Sequence, residues 1–415
     1  MKKLILGCMI ALSSQVTYAE NTKIEVMSPG GNYMEFVRSE LIPEFKKRHP
    51  DVDVVVSNDE NLETRMAAGD LPNLYAGVFG YQPAKYAKMG KLVNLQELDG
   101  FDSLKNRIDS VFMKKNYGGQ YYIPWNATTT LMLYNKELFV EAGLDPNNPP
   151  KTWDEFLYAA EKISALPSRK DGSPVYGTVF WNEALSWGSW YWSMLAQMYY
   201  NFNDGHYALL NRFGTSPVFD KKEANLALFF ETMAKAQKFA PLTMEKNFFS
   251  RTIGMWPQFG FGWKVNLKEA AGKPMVIGED VGVAPIPTLG KSDTSYSTLD
   301  GRALMIFKDS AEEEKLSWEF LQLMMEDEFN HKANVALGQL PTLTALKDKP
   351  YYNTPEAKPF VDQLSNAKMN EAFALSSDIA GVILEQYSKA VVKQEVSPQD
   401  AVENATKKAL EIINN

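Results

Sequence analysis

The chain has 415 residues, with 51 Asp and Glu against 43 Lys and Arg, and a formal net charge of −8. That balance, with no long basic run, excludes a nucleic-acid-binding surface, which needs clustered Lys and Arg to neutralise phosphates. A single cysteine excludes a disulfide framework, and His49, His206 and His331 stand too far apart to show metal-ligand spacing.

Residues 1–19 read as a secretory leader. Lys2 and Lys3 form the positive end, Leu4 to Leu12 the apolar core, and Thr17-Tyr18-Ala19 the small-x-small site before a cut at Glu20. The core is too short for a bilayer span, which takes about 20 apolar residues. Cys8 lies inside it; Ile5-Leu6-Gly7-Cys8 superficially resembles a lipoprotein box, but too few apolar residues precede it. The expectation is a cleaved form in the periplasm, with a lipid-anchored form second. Loss of Lys2 and Lys3 takes the net charge from −8 to −10 and leaves no cysteine, which suits an oxidising compartment. About 395 remaining residues point to two domains.

From Lys23 to Leu98 strand and helix alternate. KIEVMS is a strand, SPGGN a turn, and Tyr33 to His49 a helix with Met34, Val37, Leu41 and Phe45 on one face and a kink at Pro43. VDVVVS reads as a buried strand, Leu62 to Ala68 as a helix, Leu74 to Phe79 as a third strand and Pro83 to Met89 as the start of another helix. This βαβαβ order predicts a parallel sheet covered on both sides. Ligands of such sheets sit beyond the carboxyl ends of the strands. That rule singles out the turns Gly30–Tyr33 and Phe79–Tyr81.

Tyr121 to Tyr134 is an apolar, β-rich run with Thr128, Thr129 and Thr130 at its middle. A helix from Lys136 to Ala142 follows, then a turn at Gly143 to Pro150, then a second helix opened by a Thr152/Glu155 capping box. YNKELFVEAGLD followed by PPKTWDEF resembles the extracellular solute-binding proteins of carbohydrate-type ABC importers, the family typified by maltose-binding protein. AGDLPNLYAGVF is similar to that family's glycine-Asp-x-Pro-Asp motif, with Asn73 in place of the acid.

Between Val175 and Ala240 five aromatics, Trp181, Trp187, Trp190, Tyr191 and Trp192, fall within twelve residues. At helical spacing they suit a packed helix; their number also suits a sugar-stacking platform, since the C–H face of a pyranose sits well on an indole. Asp220 to Phe239 reads as one amphipathic helix capped by Asp220 and Glu223. FFSRTIGMWPQFGFGW resembles the family's stretch ending in glycine-x-tryptophan, which makes Trp263 the ligand-facing indole of the second lobe, with Trp256 its rival because SRTIGM departs from the usual run. STLDGRALMIF resembles the return to the first lobe, with Asp300-Gly301 where the family commonly has paired glycines. GQLPT at Gly338 resembles its GxxPT turn. Ser310 and Glu313 cap a helix to Glu326, and Ser397-Pro398-Gln399-Asp400 opens a helical tail.

The resemblance covers nearly the whole mature chain in matching order. It implies an α/β protein of two Rossmann-like lobes joined by a hinge, a type 2 periplasmic binding protein. Lobe 1 would comprise residues 20–128 and 301–342, and lobe 2 residues 129–300 and 343–415. The implied function is a non-enzymatic, monomeric receptor, with no cofactor or metal, that binds a sugar and delivers it to the permease subunits of an inner-membrane ABC transporter. The expected ligand residues are Asn32, Tyr33, Phe79, Tyr81, Trp125, Asn126, Thr128, Trp187, Trp190, Trp263, Asp300 and Arg302. Arg302, Lys264 and Arg251 lie near predicted cleft segments, so an acidic sugar, a glycerol phosphate or another small anion is the alternative. Two other classes stay open. A glycosidase would set Glu183 and Asp300 across a sugar. A ferric-ion binder would use the tyrosine pairs Tyr121-Tyr122, Tyr199-Tyr200 and Tyr351-Tyr352. No nucleophile elbow, zincin motif, Walker loop or dinucleotide fingerprint is present.

Overall fold

A computed structural model describes residues 22–115, 117–187, 189–206, 208–243, 248–369 and 373–415, with all their side chains except those of Trp187, Ser189, Trp190 and Val265. The predicted leader and Cys8 lie outside these residues. In chain order the strands are β1 (Thr22–Ser28), β2 (Val52–Asn58), β3 (Leu74–Val78), β4 (Ile123–Thr128), β5 (Thr130–Asn135) and β6 (Tyr176–Thr178). They continue with β7 (Ile253–Gly260), β8 (Val281–Ala284), β9 (Ser297–Ile306), β10 (Leu340–Pro341) and β11 (Ala367–Met369).

Two sheets result. The first runs β10-β4-β9-β3-β1-β2, with β11 joined to β9; the second runs β6-β7-β5-β8. β1 pairs in parallel with β2 and β3, with Val26 beside Val56 and Leu74, as the alternating pattern predicts. β9 then enters antiparallel between β3 and β4. β2 is not the buried strand expected: it ends the sheet, so alternate residues face out and Val55 is 40% exposed.

The run from Tyr121 to Tyr134 is two strands in two sheets. β4 belongs to the first, β5 to the second, and Thr129 alone separates them. Thr129 is buried, its Oγ1 donating to the carbonyl of Phe360 at 2.8 Å, which anchors the chain as it changes sheet. Beside it, the backbone N–H of Thr130 donates to Ser297 Oγ at 2.9 Å. The two crossing segments are thus bonded to each other where both leave one sheet for the other.

The helix after β1 carries a one-turn widening: Asn32–Phe36 is α-helical, Val37–Leu41 π-helical and Ile42–Arg48 α-helical again. Pro43 offers no N–H and its ring crowds the carbonyl one turn back; the wider turn before it relieves both. The Thr152/Glu155 box forms as predicted, Glu155 N–H donating to Thr152 Oγ1 at 3.2 Å and Thr152 N–H to Glu155 Oε2 at 3.1 Å. The helix expected from Asp220 begins only at Leu226. Asn225 interrupts it in the left-handed conformation, φ 57°, with its amide donating to the carbonyl of Phe202 at 2.7 Å.

Buried apolar residues form two clusters. One lies against the first sheet, with Phe36, Trp125, Leu321 and, from the later chain, Tyr352 and Phe360, and continues onto the second through Leu133, Trp256 and Phe259. The other holds Trp153, Phe229 and Tyr387 with both tail helices, Ser376–Tyr387 and Pro398–Asn414. Trp263 packs against both clusters. Among the described residues no helix is long and apolar enough to cross a membrane.

Candidate ligand-binding cleft

A cleft of 240 Å³ opens where the chain crosses between the sheets. Its floor is made by Thr128 and Thr130, on either side of the first crossing, and by Thr298 of the second. Tyr33, Asp300, Gly301 and Arg302 form the first-sheet wall. Gly260, Gly262 and Trp263 form the opposite wall, with Ser193 and Met194 from the helix Ser189–Tyr200. Leu337 and Gln339 close the rim. A larger groove of 770 Å³ lies between the helices Asn32–Phe36 and Asp327–Leu337. It draws on two helices packed on the first sheet and has no indole, whereas the smaller cleft takes residues from both sheets and both crossings.

The first wall is polar and prearranged. Asp300 and Arg302 are two apart on β9 and so share one face. Arg302 lies with its guanidinium carbon 5.2 Å from the Tyr33 ring centroid. Its backbone N–H donates to Asn126 Oδ1 at 3.2 Å. Burial works against the Arg302 charge, but Tyr33 and Asp300 beside it outweigh burial and raise its pKa. Burial lifts the Asp300 carboxyl above the usual range, with Arg302 and the Gly301 N–H opposing. Burial likewise raises the Tyr33 phenol. Gly301 between them is required by space: a Cβ there would stand 2.2 Å from the Asn126 carbonyl oxygen and 2.7 Å from Phe79.

The second wall is aromatic and layered. Trp263 stacks on Trp256 at 4.6 Å between centroids and 19° between planes. Trp256 is 1% exposed and packed by Phe248, Phe249 and Phe259. Between the two rivals, then, Trp263 lines the cleft and Trp256 backs it. Trp181 meets Trp263 edge-on at 5.0 Å and 70°. The segment Phe261–Glu269 that carries Trp263 is a 3₁₀ helix directly after β7, so the strand's end places the indole.

Of the residues expected at the site, the cleft brings together Tyr33, Thr128, Trp263, Asp300 and Arg302. Phe79, Trp125 and Asn126 are buried behind the polar wall: Trp125 packs edge-on against Tyr33 at 5.9 Å, and Phe79 backs Gly301. Asn32 opens onto the larger groove, and Tyr81 heads the helix Tyr81–Lys88 without lining the cleft. The side chains of Trp187 and Trp190 lie outside the described residues. Sequence reasoning missed Thr130, Ser193, Met194, Gly260, Gly262, Thr298, Gly301, Leu337 and Gln339. Only the GQLPT turn signalled the last: Gly338 ends its helix at φ 63°, Gln339 reaches the cleft, and Thr342 Oγ1 donates to the Pro124 carbonyl at 2.7 Å.

Two of the three expected cations are elsewhere. Arg251 donates to the carbonyls of Ala271, Lys273 and Pro274, and Lys264 sits between Phe261 and Tyr351. Lys264 is thereby drawn into the support of the segment that carries Trp263, and Arg251 into that of the loop at residues 271–274. Glu183 is exposed and does not line the cleft with Asp300. In the tyrosine pairs Tyr122 donates to the Phe112 carbonyl, Tyr199 is buried, and Tyr351 accepts from Lys264. Among the described residues no three His, Cys, Asp or Glu side chains converge on a metal position.

Known proteins give this geometry its context. The model of the family described as bacterial extracellular solute-binding protein matches residues 30–330. The sn-glycerol-3-phosphate-binding periplasmic protein of Brucella melitensis is 27% identical over 57% of this chain and 52% of its own length. Its Yersinia pestis counterpart is 23% identical over 69% and 65%. The chain thus spans about half the length of the first of these relatives and under two thirds of the second. Among solved structures, the cyclic alpha-maltosyl-1,6-maltose binding protein of Arthrobacter globiformis aligns over 95% of this chain and 99% of its own, with TM-score 0.75 and 22% identity. The maltose/maltodextrin-binding domain of Bdellovibrio bacteriovorus, bound to maltotriose, aligns over 95% and 100% with TM-score 0.76 and 18% identity. At these identities the structures speak for the fold, two α/β lobes about a cleft. With the family model covering most of its length, the chain belongs to the bacterial extracellular solute-binding proteins.

Proposed function

We propose that this protein is the periplasmic receptor of an ABC importer, binding a neutral carbohydrate between its lobes and handing it to the membrane permease without altering it. One observation carries the choice of ligand: an indole backed by a second indole faces a wall that offers one carboxylate and one guanidinium. A pyranose uses both, stacking its C–H face on Trp263 and exchanging hydrogen bonds with Asp300, Arg302, Tyr33 and the floor threonines. Sugar binding by proteins of the same fold supports this assignment. The lobe division at the Thr128 and Asp300 crossings, the monomeric state and the cleaved leader belong to the same proposal.

Mechanistically, contacts to both walls favour the closed arrangement by the difference in affinity between closed and open forms. Closure about the crossings presents one shape to the permease, as in hinge-bending proteins generally. No step requires a bond to break, so oligosaccharide incubated with the purified protein is expected to be recovered intact.

The second reading, a glycerol phosphate, is favoured by the names of the curated relatives and by Arg302. Asp300, beside Arg302 on the same wall, weighs against a dianion, because the charges lining the cleft among the described residues cancel. Tryptophan fluorescence titrated with maltotriose, acidic oligosaccharides and sn-glycerol 3-phosphate separates the two. A saturable change with the neutral sugar is expected. A response confined to the phosphate ester would replace the carbohydrate assignment with the second reading.

A further inference from the structure

Lys264 follows Trp263 directly, yet it does not line the cleft. Its ammonium lies 3.9 Å from the ring centroid of Phe261 and 4.3 Å from that of Tyr351, and donates to Tyr351 Oη at 2.7 Å. Tyr351 meets Tyr352 edge-on at 5.1 Å, and Tyr352 Oη is 3.4 Å from Nδ1 of His331 on the helix Asp327–Leu337. The same helix ends at Gly338, between Leu337 and Gln339 of the cleft rim. A second contact joins these parts: a Cβ on Gly338 would stand 3.0 Å from Gly262 Cα, so the two backbones touch. The segment bearing Trp263 is therefore held at one residue before the indole and at one after it.

A 3₁₀ segment has poorer hydrogen-bond geometry than an α-helix and relies on its surroundings for a single conformation. Stacking on Trp256 sets the plane of the Trp263 ring but leaves the segment free to slide along it. We propose that Lys264 is a positioning residue for ligand binding: clasped between Phe261 and Tyr351, it locks the Trp263 segment against the turn at Gly338. The proposal rests on the assignment of the cleft as the ligand site.

The groups facing the ammonium are Tyr351, Glu356, Lys268 on its own segment and, one ring further, His331. Burial brings the Lys264 ammonium down to about 8, with Glu356 opposing and Lys268 adding to the drop. Burial raises the Tyr351 phenol to about 12, so it keeps its proton across that range. Burial and Lys349 lower His331, which is then neutral there. As the pH rises through about 8, Lys264 is the member of this set that loses its charge, and with it the attraction to the two rings.

Lys264→Met and Lys264→Arg test the idea on two readouts. In hydrogen–deuterium exchange without sugar at neutral pH, Lys264→Met is expected to exchange faster across residues 261–269 and unchanged across β2, with Lys264→Arg close to wild type. In maltotriose titrations, Lys264→Met should bind about three- to tenfold more weakly at neutral pH, the span of a partly desolvated cation–ring contact. Wild-type affinity should fall toward that of Lys264→Met as the pH passes about 8, while the variant stays flat. Unchanged exchange at 261–269 in Lys264→Met overturns the proposal, as does the same pH profile in both proteins. If wild type ignores maltotriose, the carbohydrate assignment fails, and the exchange arm still decides whether Lys264 holds the segment.

Discussion

The two walls of the cleft achieve rigidity by different means. The polar wall is built on a central strand: Arg302 of β9 stands between Val78 of β3 and Asn126 of β4, and Asp300 stands opposite Thr128 of β4, so both inherit their positions from backbone pairing. The aromatic wall hangs on a short 3₁₀ segment beyond the end of β7 and takes its shape from side chains, Trp256 beneath and Lys264 behind. Backbone pairing fixes where donors and acceptors stand to within fractions of an ångström, which hydroxyl recognition needs. Stacking tolerates sliding, so a wall assembled from rings suffices for the apolar face of a sugar.

The contrast is tested hardest by Trp256→Ala. Deleting a buried indole should cost about 3–5 kcal/mol of stability and also weaken sugar binding, since Trp263 loses its support. Urea unfolding beside calorimetry checks both, and full affinity in a destabilised protein would mean that the aromatic wall stands without its second layer. On the polar side, Gly301→Ala forces a methyl onto the Asn126 carbonyl and should cost about 1–3 kcal/mol, read by the same unfolding midpoint.

Trp263→Ala separates binding from folding. It should remove about 1–3 kcal/mol of affinity, the range found for rings stacked on aromatic side chains in single-strand recognition. Trp263→Phe should fall between, and thermal stability should move far less than in Trp256→Ala. The smallest effect concerns Asp300. Its folded pKa is raised by burial, so the favourable contribution of its protonated form is present below the unfolded value and is lost as pH rises through the folded value. Asp300→Asn should therefore be slightly more stable than wild type near neutrality, with the difference closing on acidification, and should bind sugar more weakly. A variant less stable at neutral pH would show that Arg302 more than compensates the buried charge.

Much of this was legible before any coordinates. Helix caps at Thr152 and Ser397 and parallel strands β1 to β3 follow from local chemistry, because a cap or an alternating strand is decided by residues within a few positions of each other. The order of motifs from Ala68 to Thr342, the turn at Gly338 among them, carried the family. Errors arose where distant residues intervened. The helix expected from Asp220 is shortened by Asn225 bonding to Phe202, 23 residues earlier. The strand through the threonines is divided because Thr129 is anchored by the Phe360 carbonyl, 231 residues later.

The same division runs through the site. Composition and pattern, unaided, determined the alternating α/β order of residues 23–98, the acidic and cysteine-poor character and the two turns beyond the first and third strands, since those depend on local periodicity and residue count. The two-lobed fold and the cleft segments around Trp263 and Asp300 came from the family resemblance. Only the tertiary structure decided which side chains share the cleft. It set Trp263 in front of Trp256, drew Lys264 and Arg251 into structural contacts, and left Arg302 as the cation on the cleft wall among the described residues. A side chain's direction depends on what packs against it, and here Tyr33 and Arg302 of the polar wall come from segments 269 positions apart.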